Sequence, residues 1–356
     1  TVLKYGSEWV QRAQWQRWGK VLGLFAIALS LTLIACNNVA PPTEPGPAAA
    51  PASPDPIPEP IASAQSPAPQ VSIERLMGHM EALNHERFTE GDRQRARDYA
   101  SEVLRAEGWA ISEQTFDTGV NFVAQRPDAD PSAEKILVAA HYDSVRGSPG
   151  ADDNASGVAA ALEVASVLGN RPTNRTLQIV LFDQEEAQLV GSSAYVEEAS
   201  NLDNVAGVIV LEMLGYACYT EGCQQQPAGL SIATPSKVGD FLAVVGDTEH
   251  RPLLKAFEQT NASLPTTLTL PVPAKGLLSP MLLLSDHTPF WFKNVGAVMV
   301  TDTAFLRNPH YHRSSDTPDT FDRDFFQGAT QIVANATSDL LAGQTPLHTP
   351  RPEGRP

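Results

Sequence analysis

The sequence has 356 residues, 42% of them hydrophobic, which is enough for one large domain or two average ones with a buried core. It carries 25 basic residues against 41 acidic ones, a formal charge of −16. Nucleic-acid binding requires a basic surface, so this composition argues against a nucleic-acid partner. The simplest role of the negative charge is solubility.

Residues 1–36 have the layout of an export signal. Arg12, Arg17 and Lys20 precede a 15-residue apolar run, residues 21–35, which is shorter than the about 20 residues that a membrane-spanning helix needs. The run ends in Leu-Ile-Ala-Cys at Cys36, which resembles a bacterial lipobox. That resemblance implies cleavage before Cys36, a lipid on its thiol, and an exported lipoprotein anchored to a membrane on the extracytoplasmic side, either periplasmic or at the cell surface. A plain signal peptide is the alternative.

The composition of the rest of the chain predicts its domain organisation. Residues 37–71 are predicted to be a disordered linker, because 11 of the 29 prolines fall between Pro41 and Pro69. A single globular domain is predicted over residues 72–342. Residues 343–356 are predicted to form a disordered tail.

Cys218 and Cys223 lie five residues apart and have no nearby His or Cys. This pattern does not make a zinc site. In an exported protein we expect the two residues to close a small disulfide loop, with free thiols as the alternative.

Apolar periodicity predicts helices that alternate with strands. The predicted helices are residues 73–83, 91–107, 155–168, 191–199, 237–245, 251–260 and 319–341. The predicted strands are residues 109–116, 120–125, 136–140, 176–182, 205–213 and 295–301. The predicted fold class is therefore α/β, with a mainly parallel central sheet flanked by helices.

Side chains of metal-ligand type follow the ends of four predicted strands. They are His141, Asp153, Glu185, Glu186, Glu212 and His312. An open α/β sheet builds its sites from residues at the carboxyl ends of strands. Zinc binds imidazole nitrogen and carboxylate oxygen, and two-metal hydrolytic sites hold their ions about 3.5–4 Å apart. We therefore predict a site for two zinc ions.

Six motifs, in order, resemble those of the co-catalytic two-zinc aminopeptidases, the secreted leucyl-type enzymes of bacteria. Relatives of that family include glutamate carboxypeptidases and glutaminyl cyclases. The resemblance covers about residues 135–320 and implies a zinc-exopeptidase (phosphorylase/hydrolase-like) architecture acting on peptides. The motifs are His141-Tyr-Asp-Ser, Gly150-Ala-Asp-Asp-Asn-Ala-Ser-Gly157, Phe182-Asp-Gln-Glu-Glu-Ala187 with Gly191-Ser192, Leu211-Glu-Met-Leu-Gly215, Ser285-Asp-His-Thr-Pro-Phe290, and Asn308-Pro-His-Tyr-His312 with Ser315-Asp-Thr-Pro-Asp319.

The resemblance implies a metal-binding role for five residues. Asp153 would bridge the two zinc ions. His141 and Glu212 would complete the shell of one ion, and Glu186 and His312 that of the other. The similar bacterial enzymes often have Asp where this chain has Glu212.

The resemblance also implies two catalytic residues. Glu185 would be the general base that takes a proton from water and passes it to the leaving amine. Tyr311 would donate its hydroxyl to the developing oxyanion. Asp143 would orient His141, as carboxylates commonly do for metal-binding histidines.

Several residues leave alternatives open. Asp152 competes with Asp153 for the bridging position, and His310 competes with His312. His287 is interpreted as supporting the site or facing substrate, and Asp302 as holding the substrate amino terminus or as structural. Residues 277–284 either line an apolar side-chain pocket or belong to the core.

The activity also has alternatives. Glutaminyl cyclases of this family usually have Trp before the final His, where this chain has Tyr311. Carboxypeptidases need positive groups for the substrate carboxylate, and only Arg307 and Arg313 lie near the last motif. A non-catalytic scaffold lipoprotein would be expected to have lost a ligand or Glu185. Aminopeptidase is therefore the leading hypothesis, and the sequence leaves the oligomeric state open.

Overall fold

The computed structural model describes residues 69–227, 232–258, 261–343 and Leu347, all within one compact unit, Ser63–Pro356. The predicted export signal and almost all of the linker and tail lie outside the described residues, so the predicted domain boundaries stay predictions. The helices of the described part are α1 (Ile73–Leu83), α2 (Glu90–Ala106), α3 (Gly157–Leu168), α4 (Val190–Glu197), α5 (Arg251–Lys255), α6 (His287–Phe292) and α7 (Arg323–Ala342). Its strands are β1 (Ala110–Phe116), β2 (Gly119–Gln125), β3 (Lys135–His141), β4 (Thr176–Phe182), β5 (Val205–Glu212), β6 (Phe241–Asp247), β7 (Thr266–Val272) and β8 (Ala297–Thr301).

The strands of the described part form one sheet in the order β1-β2-β4-β3-β5-β8-β6-β7. Strands β4, β3, β5 and β8 run parallel to one another. The β1–β2 hairpin joins β4 in antiparallel pairing, and the parallel pair β6–β7 joins β8 in the same way. Because the four central strands share one direction, their carboxyl ends meet at one edge of the sheet, where the segments that follow them can converge.

Helices cover both faces of the sheet, and this explains why the central strands are continuous apolar runs. Successive residues of β3 point to opposite faces. Ile136 and Val138 share a core with residues of α1, α2, α3, α5 and α7. Leu137 and Ala139 lie in a second core with residues of α4 and α6.

The predicted fold class is confirmed, since helices flank a mixed sheet with a parallel centre. The helix predicted at residues 237–245 is wrong, because strand β6 lies there. Every residue of β6 is buried, and a short apolar run buried on both sides has no periodicity that separates a strand from a helix. The helix predicted at residues 251–260 ends at Lys255. Strand β7 was not predicted. It is an edge strand, where Pro271 is tolerated.

A disulfide joins Cys218 and Cys223 in the loop after β5, in agreement with the expected pairing. The amide of Cys218 donates to the carbonyl of Gly239 at 2.9 Å, which ties this loop to the segment before β6. No helix among the described residues has both the length and the apolar character needed to cross a membrane.

Candidate metal centre and active site

Asp153 lies between the two predicted histidine ligands. His141 is the last residue of β3, and its Nε2 lies 3.3 Å from Oδ1 of Asp153. Nε2 of His312 lies 3.1 Å from Oδ2, the other oxygen of the same carboxylate. Each oxygen of Asp153 therefore faces a different imidazole, as a bridging ligand requires.

Two clusters of candidate ligands share this carboxylate. One consists of His141, Asp153 and Glu212, and the other of Asp153, Glu186 and His312. Oε1 of Glu212 lies 3.6 Å from Nε2 of His141, and Oε2 of Glu186 lies 3.0 Å from Nε2 of His312. In a tetrahedral site with ligand bonds of about 2.1 Å, neighbouring ligand atoms lie roughly 3.4 Å apart. The histidine–carboxylate distances in both clusters are close to that value.

Buried polar atoms in the clusters lack hydrogen-bond partners. Within the described part of the chain, both nitrogens of His141, Oδ2 of Asp153 and Oε1 of Glu186 make no hydrogen bond. Such atoms are costly to bury unless something binds them. These atoms are donors of the kind that divalent metals take, so the residues present fit a metal at each cluster.

The electrostatics of the clusters point the same way. Burial, reinforced by the charge of Asp153, raises the pKa of Glu186 to about 8. Burial alone would lower the pKa of His312, but its contacts with Asp153 and Glu186 raise that pKa to about 10. The concentration of negative charge therefore favours a cation at this position.

Two further carboxylates position the segments that carry the candidate ligands. Asp143 accepts the backbone N–H groups of Glu185 and Glu186 at 3.0 and 3.2 Å, and its Oδ1 lies 3.3 Å from Nδ1 of His141. Asp143 thus contacts His141, as expected, and also fixes the loop after β4. Asp316 fixes the loop that carries Asp153 in the same way.

Asp316 accepts the backbone N–H groups of Asp152 and Asp153 at 2.9 and 3.1 Å. Burial, together with the charge of Asp152, raises its pKa to about 7. The sequence analysis included Asp316 in the motif Ser315-Asp-Thr-Pro-Asp319 but assigned it no role. The available signal was an acidic residue four positions after a candidate ligand.

The geometry favours the predicted residue at both ambiguous positions. The carboxylate of Asp152 accepts hydrogen bonds from the amide of Gly215 at 2.8 Å and from Asn308 Nδ2 at 2.7 Å, so it faces away from the histidines. The Nδ1 of His310 lies 2.9 Å from the hydroxyl of Ser315. Neither residue belongs to a ligand cluster.

Glu185 and Tyr311 lie beside the clusters without belonging to them. Oε2 of Glu185 is 4.0 Å from Nε2 of His141, and burial raises the pKa of Glu185 well above its usual value. The ring of Tyr311 stacks on that of His312, with centroids 3.8 Å apart and planes 17° from parallel. Both residues line the pocket described below.

The Ser285-Asp286-His287 segment supports the site from α6. The hydroxyl of Ser285 donates to Oε2 of Glu212 at 2.7 Å, a contact that the sequence analysis missed. His287 is fully buried, and its Nε2 lies 2.9 Å from the carbonyl of Leu282. These contacts favour a supporting role for His287.

The contacts of Asp302 favour a structural role. Its carboxylate is fully buried and accepts the backbone N–H groups of Tyr216 and Ala304 at 3.0 and 2.7 Å. A carboxylate occupied in this way is not presented to a substrate amino terminus, so the structural alternative is the one that the contacts favour.

An apolar pocket of about 140 Å³ adjoins the clusters. Asp153, Glu185 and Glu212 line it together with one face of β6, β7 and β8. That face contributes Phe241, Ala243, Val245, Leu268, Leu270, Met299 and Thr301. Of the segment at residues 277–284, Met281, Leu282 and Leu284 line the pocket, whereas Leu277 and Leu278 are exposed.

The fold and the site define an α/β protein with a paired candidate metal centre at the carboxyl ends of its parallel strands. The chain belongs to peptidase family M28, whose sequence pattern matches residues 121–337. It is 35% identical over 257 residues to the uncharacterized protein YfbL of Escherichia coli, covering 67% of this chain and 77% of that protein.

Relatives whose names state an activity match smaller parts of this chain and of their own length. Aminopeptidase YwaD of Bacillus subtilis is 40% identical over 109 residues, covering 28% of this chain and 24% of that protein. The probable lipoprotein aminopeptidase LpqL of Mycobacterium tuberculosis is 30% identical over 231 residues, covering 60% of this chain and 43% of that protein. The chain thus spans less than half the length of either aminopeptidase.

The fold is also similar to that of a solved structure. The LapA aminopeptidase of Legionella pneumophila superposes with a TM-score of 0.60 at 16% identity, covering 77% of this chain and 73% of that chain. At this identity the similarity concerns the fold alone.

Proposed function

We propose that the protein is a zinc-dependent exopeptidase with two zinc ions, an aminopeptidase that releases N-terminal amino acids from peptides. The observation that carries this proposal is the position of Asp153, whose two oxygens lie 3.3 and 3.1 Å from the imidazoles of His141 and His312. His141, Asp153 and Glu212 would hold one ion. Asp153, Glu186 and His312 would hold the other. Membership of a peptidase family and the name of YwaD support the reaction type.

The residues around the clusters suit amide hydrolysis. When bound, zinc ions supply Lewis-acid polarisation of the scissile carbonyl and lower the pKa of water. Glu185 accepts the proton of the attacking water at its carboxylate. As the C–N bond breaks, Glu185 returns this proton to the leaving amine nitrogen. Burial raises the pKa of Glu185, so its carboxylate can hold the proton between these two steps.

Tyr311 and Asp143 assist without exchanging protons with the substrate. Stacking on His312 holds the ring of Tyr311 at the pocket wall, where its hydroxyl would donate to the developing oxyanion. Asp143 holds the backbone of Glu185 and Glu186. It therefore orients the general base and one ligand together.

The apolar pocket supports a substrate with an apolar N-terminal residue. Its volume of about 140 Å³ is close to that of an apolar cavity of about 150 Å³ that binds benzene. One leucine or phenylalanine side chain would occupy a space of this size. Apart from Asp153, Glu185 and Glu212, the described residues that line it carry no charge.

The alternative activities have less support. A carboxypeptidase needs a cation to bind the substrate carboxylate. Arg313 is exposed but is not among the described residues that line the pocket. The guanidinium of Arg307 is buried. It donates to the carbonyl of Phe241 at 2.8 Å and to Oε1 of Gln224 at 2.9 Å. Tyr311 stands where the glutaminyl cyclases of this family usually have Trp. A scaffold role has no specific support, since all five candidate ligands and Glu185 are present.

The test is hydrolysis of aminoacyl-p-nitroanilides by the full chain. We expect chelator-sensitive release of nitroaniline, and we expect Glu185→Gln to lower kcat by about 10²- to 10⁴-fold while zinc content stays at the wild-type level. Glu198→Gln, at an exposed position, is the matched control and should retain activity. Full activity of Glu185→Gln would refute the assignment of the base. A wild-type protein that binds zinc but cleaves no peptide would favour the scaffold.

We also propose that the protein is an exported lipoprotein, anchored to a membrane by a lipid on Cys36. The support is the apolar run that ends in Leu-Ile-Ala-Cys and the name of LpqL, a probable lipoprotein aminopeptidase. In this arrangement the Pro-rich residues 37–71 would act as a spacer between the membrane and the enzyme.

A further inference from the structure

Arg87, in the connection between α1 and α2, is buried behind the candidate metal centre. Its side chain is fully inaccessible to solvent, and among the described residues its guanidinium donates to backbone carbonyls alone. The acceptors are those of Tyr142 (2.7 Å, from Nε), Leu83 (2.9 Å), His85 (3.0 Å) and Pro149 (2.5 Å, all from Nη1), and Gly150 (2.7 Å, from Nη2). All three of its nitrogens are therefore engaged.

This cation has no carboxylate within ion-pair distance in the described part of the chain. The other buried arginines of the same region differ, because Arg93 and Arg97 both contact Asp183, with Nε of Arg93 2.8 Å from its Oδ1. A buried charge costs several kcal/mol unless other charges compensate it. The charges that act on Arg87 through space are those of Asp316, Asp143, Asp153 and Glu186.

The carbonyls that Arg87 binds belong to two segments that carry candidate ligands. Tyr142 lies between His141 and Asp143 at the end of β3. Pro149 and Gly150 begin the turn that leads to Asp153. The guanidinium of Arg87 thus links the end of β3 to the loop that carries Asp153. A planar guanidinium holds two segments at a fixed separation better than a single ammonium group can.

Gly150 shows how closely the loop packs on this group. Its φ is +60°, a left-handed conformation that favours glycine. A Cβ atom at this position would lie 2.9 Å from Nη2 of Arg87 and 2.2 Å from the carbonyl oxygen of Asp153. The backbone of the loop therefore approaches both the guanidinium and the bridging residue.

We propose that Arg87 is a positioning residue for the metal centre, which sets the separation of His141 and Asp153 before metal binds. This inference rests on the proposed function. Partners behind a metal ligand typically change metal affinity by about 10- to 100-fold when they are replaced. Arg87 acts on both residues through the backbone of their own segments, so its effect should appear in metal affinity and not only in stability.

The experiment compares Arg87→Lys with Arg175→Lys in the full chain. Lysine keeps the charge but loses the planar fork. Arg175 is the control because it is also buried and donates to the carbonyl of Leu340 at 2.7 Å. Unlike Arg87 it also pairs with a carboxylate, that of Glu134 at 2.7 Å, and it precedes β4 and so lies at the opposite edge of the sheet. Zinc affinity is measured by competition with a chromophoric chelator, and stability by thermal unfolding of the metal-free proteins.

We expect Arg87→Lys to bind zinc at least tenfold more weakly than wild type, and Arg175→Lys to bind it within twofold. Equal zinc affinity of Arg87→Lys and wild type would overturn the inference, even with a lower Tm. If Arg87→Lys does not fold, Ser144→Ala decides the question. Ser144 Oγ accepts the backbone N–H of Arg87 at 2.9 Å, so its loss should weaken zinc binding at least threefold, and unchanged binding would overturn the inference. A wild-type protein that binds no zinc would instead refute the proposed function.

Discussion

Replacing Ala243 by phenylalanine should close the apolar pocket and remove the preference for large N-terminal side chains. Ala243 lies on β6, between Leu268 of β7 and Thr301 of β8 in the same cross-strand row. Thr301 pairs in turn with Glu212. Neighbouring strands lie about 4.8 Å apart, so Ala243 is roughly 10 Å from Glu212 across two strands. A side chain added at Ala243 therefore enters the space next to the metal centre.

The size of the expected effect follows from the volume of the pocket and the apolar area of the substrate. Leucine has three more carbons than alanine, and burial contributes about 0.8 kcal/mol per CH₂, so the pocket should favour leucyl over alanyl substrates by about 2.4 kcal/mol. That difference corresponds to about 50-fold in kcat/KM. The ring of phenylalanine is benzene-sized, and a cavity of about 150 Å³ is sufficient for benzene. The ring would therefore fill most of the 140 Å³.

The assay is the ratio of kcat/KM for leucyl- and alanyl-p-nitroanilide. We expect about 50-fold in the wild type and less than about fivefold in Ala243→Phe, with the alanyl rate almost retained. Thr269→Phe is the matched control. It adds a ring one residue after Leu268, on the opposite face of β7, and should leave the ratio unchanged. An unchanged ratio in Ala243→Phe, or an equal loss with both substrates, would refute the assignment of the pocket to the N-terminal side chain.

The remaining predictions concern pH and anchoring. Burial lowers the pKa of His287 to about 4, so the unfolded chain binds a proton at His287 more readily than the folded protein does. The stability that neutral His287 contributes is therefore lost as the pH falls from about 6.5 to about 4. Between pH 7 and pH 5 this loss of unfolding free energy is on the order of 2 kcal/mol. Urea unfolding of His287→Gln should show a loss between these pH values that is smaller by that amount. Identical pH dependence in both proteins would contradict the prediction. Cys36→Ser should move the protein from the membrane fraction to the aqueous fraction of cells, because the lipid would no longer be attached. A variant that still sediments with membranes would exclude Cys36 as the anchor.

Much of the candidate site was predictable because its residues follow strands that the sequence reveals. The runs that end at His141 and Glu212 are apolar on both faces, which is typical of parallel strands. Parallel strands bring their carboxyl ends to one edge. The sequence therefore predicted that His141 and Glu212 would meet, and their side chains lie 3.6 Å apart.

The residues that support the site were harder to predict. Arg87 precedes α2, in a segment that local patterns identify only as the approach to a helix. Its carbonyl partners at Tyr142 and Gly150 lie 55 and 63 residues further along the chain. Asp316 lies in one of the motifs, but its role was missed for the same reason, since it binds amides more than 160 residues away. Side chains that bind backbone atoms leave no matching residue type to search for.

The amino-acid sequence by itself determined the α/β class, the order of the central elements and the residue types of the candidate metal centre. These depend on local periodicity and on the chemistry of single side chains. Only the tertiary structure decided that β6 is a strand, that Asp153 and not Asp152 faces both histidines, and that an apolar pocket lies beside Glu212. These features depend on contacts between segments distant in the chain. For β6, burial on both sides also removes the periodicity that distinguishes a strand from a helix.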